Sequence, residues 1–108
     1  MKNCLNSEIW KVKLYPVKGS EQDGVRPCVI ISPNSMNKAL KTVIVAPLTT
    51  SLKDWPTRVN ISFGEFSGQA CLEHIRSVSK ERLSERLGKT SPAEISTIQK
   101  HLRSMFSS

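Results

Sequence analysis

Five short runs of apolar or alternating residues, separated by turn-forming residues, fill the first three-quarters of the chain and constrain its fold most strongly. They are IWKVKLY (9–15), RPCVIIS (26–32), TVIVAPL (42–48), TRVNISF (57–63) and QACLEHIRSV (69–78). Alternation in the first and fourth runs is typical of strands with one exposed face, and the continuous apolar runs are typical of central strands. Because the connections are tight, the pattern predicts a mainly β fold, a small barrel rather than a layered α/β sheet.

The last quarter of the chain changes to helical spacing. Residues 80–87 (KERLSERL) are predicted to form a short helix that Ser79 caps and Gly88 ends. A longer helix is predicted over residues 91–106, with Ser91 and Glu94 arranged as a capping box. Its apolar stripe, which should pack on the barrel, consists of Ile95, Ile98, Leu102, Met105 and Phe106. His101, beside this stripe, is interpreted as a structural or surface residue.

The length of 108 residues predicts one domain. A cytoplasmic location is predicted because the sequence shows neither a membrane span nor a signal peptide. No apolar run approaches the roughly 20 residues that cross a bilayer, and the N-terminus MKNCLNSEIW lacks the apolar centre of a signal peptide. The three cysteines form no CxxC pair, which argues against a zinc site or a disulfide framework. Cys28 and Cys71 lie in strand-like runs and are predicted to be buried reduced thiols.

The charge of the chain favours a polyanionic partner. Sixteen Lys and Arg residues against nine Asp and Glu residues give a net charge of +7. On so small a domain this favours nucleic acid or an acidic protein as the partner, although positive charge also serves solubility.

Polar side chains with catalytic potential stand near strand ends in three segments that a small barrel can bring together. The segments are residues 21–26, 49–51 and 73–76. Taken singly, a residue from each segment has a structural explanation. Arg26 can pair with a loop carboxylate, Thr49 can be an ordinary turn residue, and His74 can be a solvated surface residue. Together they favour phosphate chemistry without metal, in which side chains move protons and a guanidinium neutralises the phosphate. The sequence has no HExxH, no GxxxxGK[ST] and no clustered carboxylates of a two-metal nuclease.

Four segments carry a resemblance to a known family: KGSEQDGVRPCVIISPNSMN, TVIVAPLTTS, WPTRV and LEHIRSVSKERL. They resemble the MazF/PemK (Kid) toxins of bacterial toxin–antitoxin modules. The most specific parts are the pattern G-S-E-Q-x-G-x-R-P, which starts at Gly19, and P-L-T-T, which starts at Pro47. The resemblance extends from the first strand through the final helix and so covers nearly the whole chain.

This resemblance implies a fold, an activity and partners. The fold is a small SH3-like barrel, shared with CcdB toxins, with C-terminal helices in a single domain (residues 1–108) that works as a homodimer. The activity is that of an mRNA interferase, a ribosome-independent endoribonuclease that cuts single-stranded RNA at short sequences by 2′-hydroxyl attack. The products carry a 2′,3′-cyclic phosphate and a 5′-hydroxyl, and no metal or other cofactor is implied. The implied inhibitor is a cognate antitoxin whose acidic C-terminal tail lies across the RNA groove.

The resemblance also implies catalytic roles. The family's catalytic arginine falls on Arg26, which would stabilise the transition state, and its catalytic threonine falls on Thr49, which would donate a hydrogen bond to the same phosphate. The acidic residue proposed as the base in some members falls on Glu73. The loop glutamate of other members falls on Glu21.

Two departures from the family pattern bear on the acid and the base. Cys71 occupies the position of a second arginine used by some members, and His74 replaces the usual glutamine. Glu73, His74 and Glu21 therefore remain alternatives for the general base and the general acid.

RNA contacts are predicted in two loops, at Glu21, Gln22, Asp23, Ser51, Lys53 and Trp55. Trp55 can stack on an unpaired base or plug the barrel, and the sequence leaves both alternatives open. The alternative function is that of a non-catalytic, CcdB-like toxin that binds DNA gyrase, because one fold can host both activities.

Overall fold

The computed structural model of the chain describes residues 3–14 and 24–107. In chain order the elements are β1 (Glu8–Lys13), β2 (Val25–Ile30), α1 (Asn34–Ala39), β3 (Thr42–Thr49), β4 (Arg58–Phe63), β5 (Phe66–Cys71), β6 (Arg76–Ser79), β7 (Leu83–Lys89) and α2 (Pro92–Met105). Short 3₁₀ turns occupy Leu72–His74 and Lys80–Arg82. The predicted turn after β2 therefore contains a short helix, α1.

The strands form one curled antiparallel sheet with the order β4-β5-β3-β2-β1-β7, and β6 pairs with β3. Strand β3 is central: β2 pairs along one edge, while β6 and β5 share the other edge. Alternate residues of a strand point to opposite faces, so both faces of this curled sheet carry apolar side chains. In β1, Trp10 and Val12 belong to one buried cluster, whereas Ile9 belongs to the second. The predicted mainly β, barrel-like fold is confirmed.

A break in the last predicted strand shapes the functional region. The run 69–78 was expected to form one strand, but the 3₁₀ turn Leu72–His74 divides it into β5 and β6. Both halves pair with the same edge of β3, yet the register moves by three residues between the pairs Leu48↔Ala70 and Val45↔Arg76. The three-residue turn absorbs this shift. It therefore lifts Glu73 and His74 out of the ladder.

Pro47 was expected to close β3, but the strand continues to Thr49. Pro47 lies where β3 changes partner, after Val45, the last residue paired with β6, and before Leu48, the first paired with β5. Proline has no N–H to donate to a neighbouring strand. It is therefore tolerated at the point where β3 changes its pairing partner.

The predicted helix over residues 80–87 is wrong. Ser79 does cap a turn, accepting a hydrogen bond from the Glu81 amide, but only Lys80–Arg82 is 3₁₀ and the chain then enters β7. Strand β7 pairs with the free edge of β1, so ladder hydrogen bonds override a local helical preference. Gly88 lies within this strand against the Phe63 ring and ends no helix.

Helix α2 confirms the longer predicted helix and its capping box between Ser91 and Glu94. Ile98 is fully buried in the second cluster, which Ile95, Leu102 and Met105 extend. Phe106, predicted to belong to the packed stripe, is 74% exposed because it follows the last helical residue. The resemblance implied several C-terminal helices, but in the part of the chain that the structure describes α2 is the sole α-helix after β7. No described helix is both long enough and apolar enough to span a membrane.

Candidate active site

The four residues predicted to be catalytic line one cavity of about 700 Å³. Its lining residues are Leu14, Arg26, Pro47, Thr49, Arg58, Cys71, Glu73, His74, Ile75 and Arg76. Arg26, Thr49 and residues 73–76, which lie far apart along the chain, thus meet at one place. We call this space the catalytic cavity.

Rigid backbone holds the cationic and hydroxyl groups of the catalytic cavity. Arg26 is the second residue of β2, where it pairs with Val12 of β1, and its side chain is exposed. Thr49 ends β3 and pairs with Gln69 of β5. The Thr49 Oγ1 atom accepts a hydrogen bond from the Ser51 amide at 3.1 Å. Because a hydroxyl both accepts and donates, its proton stays available for a substrate oxygen.

Glu73 is held by a short ion pair with Arg58 of β4. The Arg58 Nε atom lies 2.7 Å from Glu73 Oε2, and the two side chains are 8% and 21% exposed, respectively. Burial raises the pKa of the Glu73 carboxyl, but the hydrogen bond from Arg58, weaker polar contacts with its own amide and with Thr57, and the charge of Arg58 together lower it below its usual value. The carboxylate is therefore ionised at neutral pH and can accept a proton.

His74 occupies the same turn and faces solvent. Its side chain is 68% exposed, and its Nε2 atom is 4.0 Å from Glu73 Oε2. An imidazole can serve as a proton donor or acceptor, and this one is open to solvent beside a carboxylate. The turn therefore supplies two groups of different chemistry to one wall of the cavity.

A second cavity of about 460 Å³ adjoins the first and shares Arg58 with it. We call it the loop cavity, because Lys53 and Trp55 from the loop after β3 line it, together with Asn60, Gln69 and residues of α2. In this loop, the backbone carbonyl of Ser51 accepts a hydrogen bond from Arg58 Nη1 at 3.0 Å.

Trp55 is 48% exposed, so the alternative in which it plugs the barrel is wrong. The guanidinium carbon of Arg58 lies 4.7 Å from the centroid of the Trp55 ring, and the ammonium of Lys53 lies 5.7 Å from it. These are cation–π distances. His101 of α2, whose Nδ1 atom lies 2.6 Å from the Pro56 carbonyl oxygen, also lines the loop cavity.

The remaining predicted RNA contacts, Glu21, Gln22 and Asp23, lie outside the described residues. Within the described ranges, no group of three or more His, Cys, Asp or Glu side chains has the arrangement of a metal site.

Comparison with known proteins identifies the family. The profile described as "PemK-like, MazF-like toxin of type II toxin-antitoxin system" matches residues 6–106. The chain belongs to this family. A protein named endoribonuclease MazF from Staphylococcus epidermidis is 41% identical over 86 residues, which cover 74% of this chain and 72% of that protein. The protein of the same name from Staphylococcus saprophyticus is 40% identical with the same coverage.

Solved structures of toxins share the fold. An endoribonuclease in complex with its cognate antitoxin, from a mycobacterial species, matches with a TM-score of 0.81 at 24% identity, covering 94% of this chain and 93% of that one. MazF from Deinococcus radiodurans matches with a TM-score of 0.75 at 25% identity, covering 95% and 94%, respectively. The curled sheet with its C-terminal helix is therefore the MazF fold.

Arg58 is the residue of this PemK/MazF-like site that sequence reasoning missed. It lies directly opposite Cys71 in the β4–β5 ladder, so both side chains point to the same face. The guanidinium of Arg58 therefore reaches the catalytic cavity from the strand that faces Cys71. Alternation in the run 57–63 carried a signal, because it places Arg58 on the polar face, but it did not identify Glu73 as the partner.

The thiols of the site region are buried, as predicted. Burial raises the pKa of the Cys28 thiol to about 12, and burial likewise raises the pKa of Cys71, which lines the catalytic cavity. Both thiols are therefore neutral at physiological pH. A neutral thiol is a poor nucleophile, so neither thiol is a candidate for nucleophilic attack.

Proposed function

We propose that the chain is an endoribonuclease toxin that cuts single-stranded RNA by attack of a ribose 2′-hydroxyl on the adjacent phosphate. The observation that carries the proposal is that Arg26 of β2, Thr49 of β3 and Glu73 of the turn between β5 and β6 line one cavity. The two staphylococcal relatives named endoribonuclease MazF support the same activity.

Glu73 is the proposed general base. Its lowered pKa keeps the carboxylate ionised at neutral pH, so it can take the proton of the 2′-hydroxyl. The 2′-oxygen then bonds to phosphorus while the bond from phosphorus to the 5′-oxygen breaks. Negative charge grows on the phosphate during this step. The guanidinium of Arg26 neutralises that charge, and the hydroxyl of Thr49 donates a hydrogen bond to a phosphate oxygen.

His74 is the proposed general acid. Its exposed imidazole lies beside Glu73 on the cavity wall and, when protonated, can give its proton to the departing 5′-oxygen. The products are a 2′,3′-cyclic phosphate and a 5′-hydroxyl. In this scheme side chains of the chain itself handle every proton and charge, without a metal or other cofactor.

The loop that follows β3 is the proposed RNA contact of the described residues. Ser51 is exposed and hydrogen-bonded to Arg58 through its carbonyl, while Lys53 offers a cation and Trp55 an exposed aromatic ring beside the catalytic cavity. A base stacked on such a ring typically contributes about 1–3 kcal/mol. The predicted contacts at residues 21–23 belong to the same proposal.

The proposed working form is a cytoplasmic homodimer inhibited by a cognate antitoxin with an acidic C-terminal tail. The mycobacterial structure of an endoribonuclease with its cognate antitoxin and the MazE–MazF complexes from Deinococcus radiodurans support an antitoxin as the partner. The net charge of +7 suits both RNA and an acidic tail, so the two are expected to compete for one surface.

The proposal is tested by incubating the purified protein, in the presence of EDTA, with a mixed-sequence RNA as a single strand and as a duplex. We expect fragments from the single strand and little cleavage of the duplex, because attack in line with the departing oxygen requires a flexible backbone. Intact single-stranded RNA would contradict the proposal. Stalling of DNA gyrase by the same protein would then favour the non-catalytic alternative.

A further inference from the structure

Arg58 has contacts unlike those of the other residues on its face of β4. Its side chain is 8% exposed, whereas Asn60 and Ser62, which share that face, are exposed residues. It lines both the catalytic cavity and the loop cavity. A buried cation between two open cavities is costly unless several groups satisfy it.

The guanidinium of Arg58 is fixed on two sides by different elements. Toward the catalytic cavity, Nε donates to Glu73 Oε2 at 2.7 Å. Toward the loop cavity, Nη1 donates to the Ser51 carbonyl at 3.0 Å and to Gln69 Oε1 at 3.3 Å, and the guanidinium stacks on Trp55. A planar fork that makes these contacts together has little freedom to rotate.

Gln69 extends these contacts to the rest of the loop. Its Oε1 accepts from the Lys53 amide at 3.0 Å, and its Nε2 donates to the Lys53 carbonyl at 3.2 Å. The backbone amide of Arg58 also donates to the Trp55 carbonyl at 3.1 Å. The loop that is proposed to bind RNA and the carboxylate that is proposed to take a proton are therefore attached to one side chain.

Glu73 depends on this attachment. Its Oε1 atom is buried and forms no hydrogen bond of standard geometry with any described residue, so the ion pair at Oε2 provides most of the compensation for burial. A carboxylate whose strongest contact is a short hydrogen bond from one rigid donor has its direction set mainly by that donor.

We infer that Arg58 is a positioning residue that fixes the Glu73 carboxylate in the catalytic cavity and couples it to the RNA-binding loop. This inference rests on the ribonuclease function proposed for the same cavity. It assigns Arg58 no contact with the reacting atoms. Its effect is on where the base lies and on whether the base is charged when the loop holds RNA.

A positioning role predicts a change in pH dependence that a purely structural ion pair does not. Without Arg58, burial would be opposed mainly by Thr57 and the backbone amide, so the pKa of Glu73 would rise. The acidic limb of the rate profile would then move to higher pH. The other charged or titratable groups that line the cavity are Arg26, Arg76, His74 and Cys71. Arginines stay charged, and burial keeps Cys71 neutral. Among the described lining residues, His74 is the other side chain that can exchange a proton beside Glu73.

The experiment compares Arg58→Met and Arg58→Lys with the wild type by two readouts: kcat and KM for RNA cleavage against pH, and the ¹³C shift of the Glu73 carboxyl against pH. We expect Arg58→Met to lower kcat about ten- to a hundredfold, with a rise in KM of a few-fold, and to move the Glu73 titration and the acidic limb upward together. Arg58→Lys keeps the positive charge but loses the planar guanidinium with its several N–H donors. It should retain a low Glu73 titration and still lose about tenfold in kcat.

The matched control is Arg86→Met, which breaks a similar pair with Glu8 (Arg86 Nε to Glu8 Oε2, 2.9 Å) outside both cavities and should leave both readouts unchanged. A folded Arg58→Met protein with an unchanged Glu73 titration and acidic limb would overturn the inference. If Arg58→Met fails to fold, Arg58→Lys becomes the deciding variant, because a wild-type kcat in it would contradict a role for the planar guanidinium.

If the wild type leaves RNA intact, the ribonuclease proposal fails. The carboxyl titration would still test whether Arg58 controls the ionisation of Glu73.

Discussion

Replacing Arg26 with alanine is expected to lower the rate of RNA cleavage on the order of a hundredfold or more while the protein stays folded. The expected loss follows from the role of a fixed cation beside a phosphate, by analogy with the removal of one donor from an oxyanion site. Folding should survive because the Arg26 side chain is exposed on β2 and contributes to neither buried cluster. Single-turnover cleavage and thermal unfolding measure the two effects separately.

Two further variants sharpen the Arg26 experiment. Arg26→Lys keeps the charge but not the fork that matches two phosphate oxygens, so its rate should lie between those of the wild type and the alanine variant. Arg103→Ala, which removes the same charge from an exposed site on α2, should cleave at the wild-type rate. Equal rates for Arg26→Ala and the wild type would remove Arg26 from the mechanism.

Replacing Gly68 with alanine is expected to damage both stability and cleavage, although Gly68 carries no functional group. A Cβ atom at position 68 would collide with the backbone carbonyl of Thr49 and would lie 2.7 Å from Cζ of Phe66. Overpacking of this kind costs about 1–3 kcal/mol, and each kcal/mol lowers the Tm of a domain of this size by about 4–8 °C. Because Thr49 must shift, its hydroxyl shifts too, and cleavage should fall about ten- to a hundredfold.

Gly64→Ala is the matched control for Gly68→Ala in the same hairpin. Gly64 has a φ of +52°, and a Cβ atom added there would meet nothing within 4 Å. Alanine at this position therefore adds backbone strain of about 1–2 kcal/mol without touching the site. It should lower Tm and leave cleavage unchanged. If Gly68→Ala loses stability but cleaves at the wild-type rate, the position of Thr49 does not limit the reaction.

The pattern of neighbouring residues was sufficient to predict the strands and the helix that are stabilised by their own residues. Alternation in β1 and β4 and the capping box of α2 follow from the residues that form them, and the structure confirms them. The strand at Leu83–Lys89 could not be predicted because its sequence has helical spacing. It is extended because β1 offers an unpaired edge from the other end of the chain.

The site residues that belong to a sequence motif could be predicted. The parts of the site that depend on the register of strand pairing could not. Resemblance to the family pointed to Arg26, Thr49 and Glu73, and the structure brings them to one cavity, while their catalytic roles remain proposals. The turn that carries Glu73 arises from a three-residue shift between two pairings with β3, which no single segment encodes. Arg58 was missed for the same reason, since its importance comes from a strand partner and from a carboxylate 15 residues away.

The chemistry of the cut ends tests the central claim most directly. Mass analysis of RNA fragments made by the wild-type protein in EDTA should find a 2′,3′-cyclic phosphate on one side of each cut and a 5′-hydroxyl on the other. These ends arise when the ribose hydroxyl itself attacks the phosphate, as Arg26, Thr49 and Glu73 are proposed to promote. Fragments that instead carry 3′-hydroxyl and 5′-phosphate ends would show that water is the nucleophile and would contradict the account.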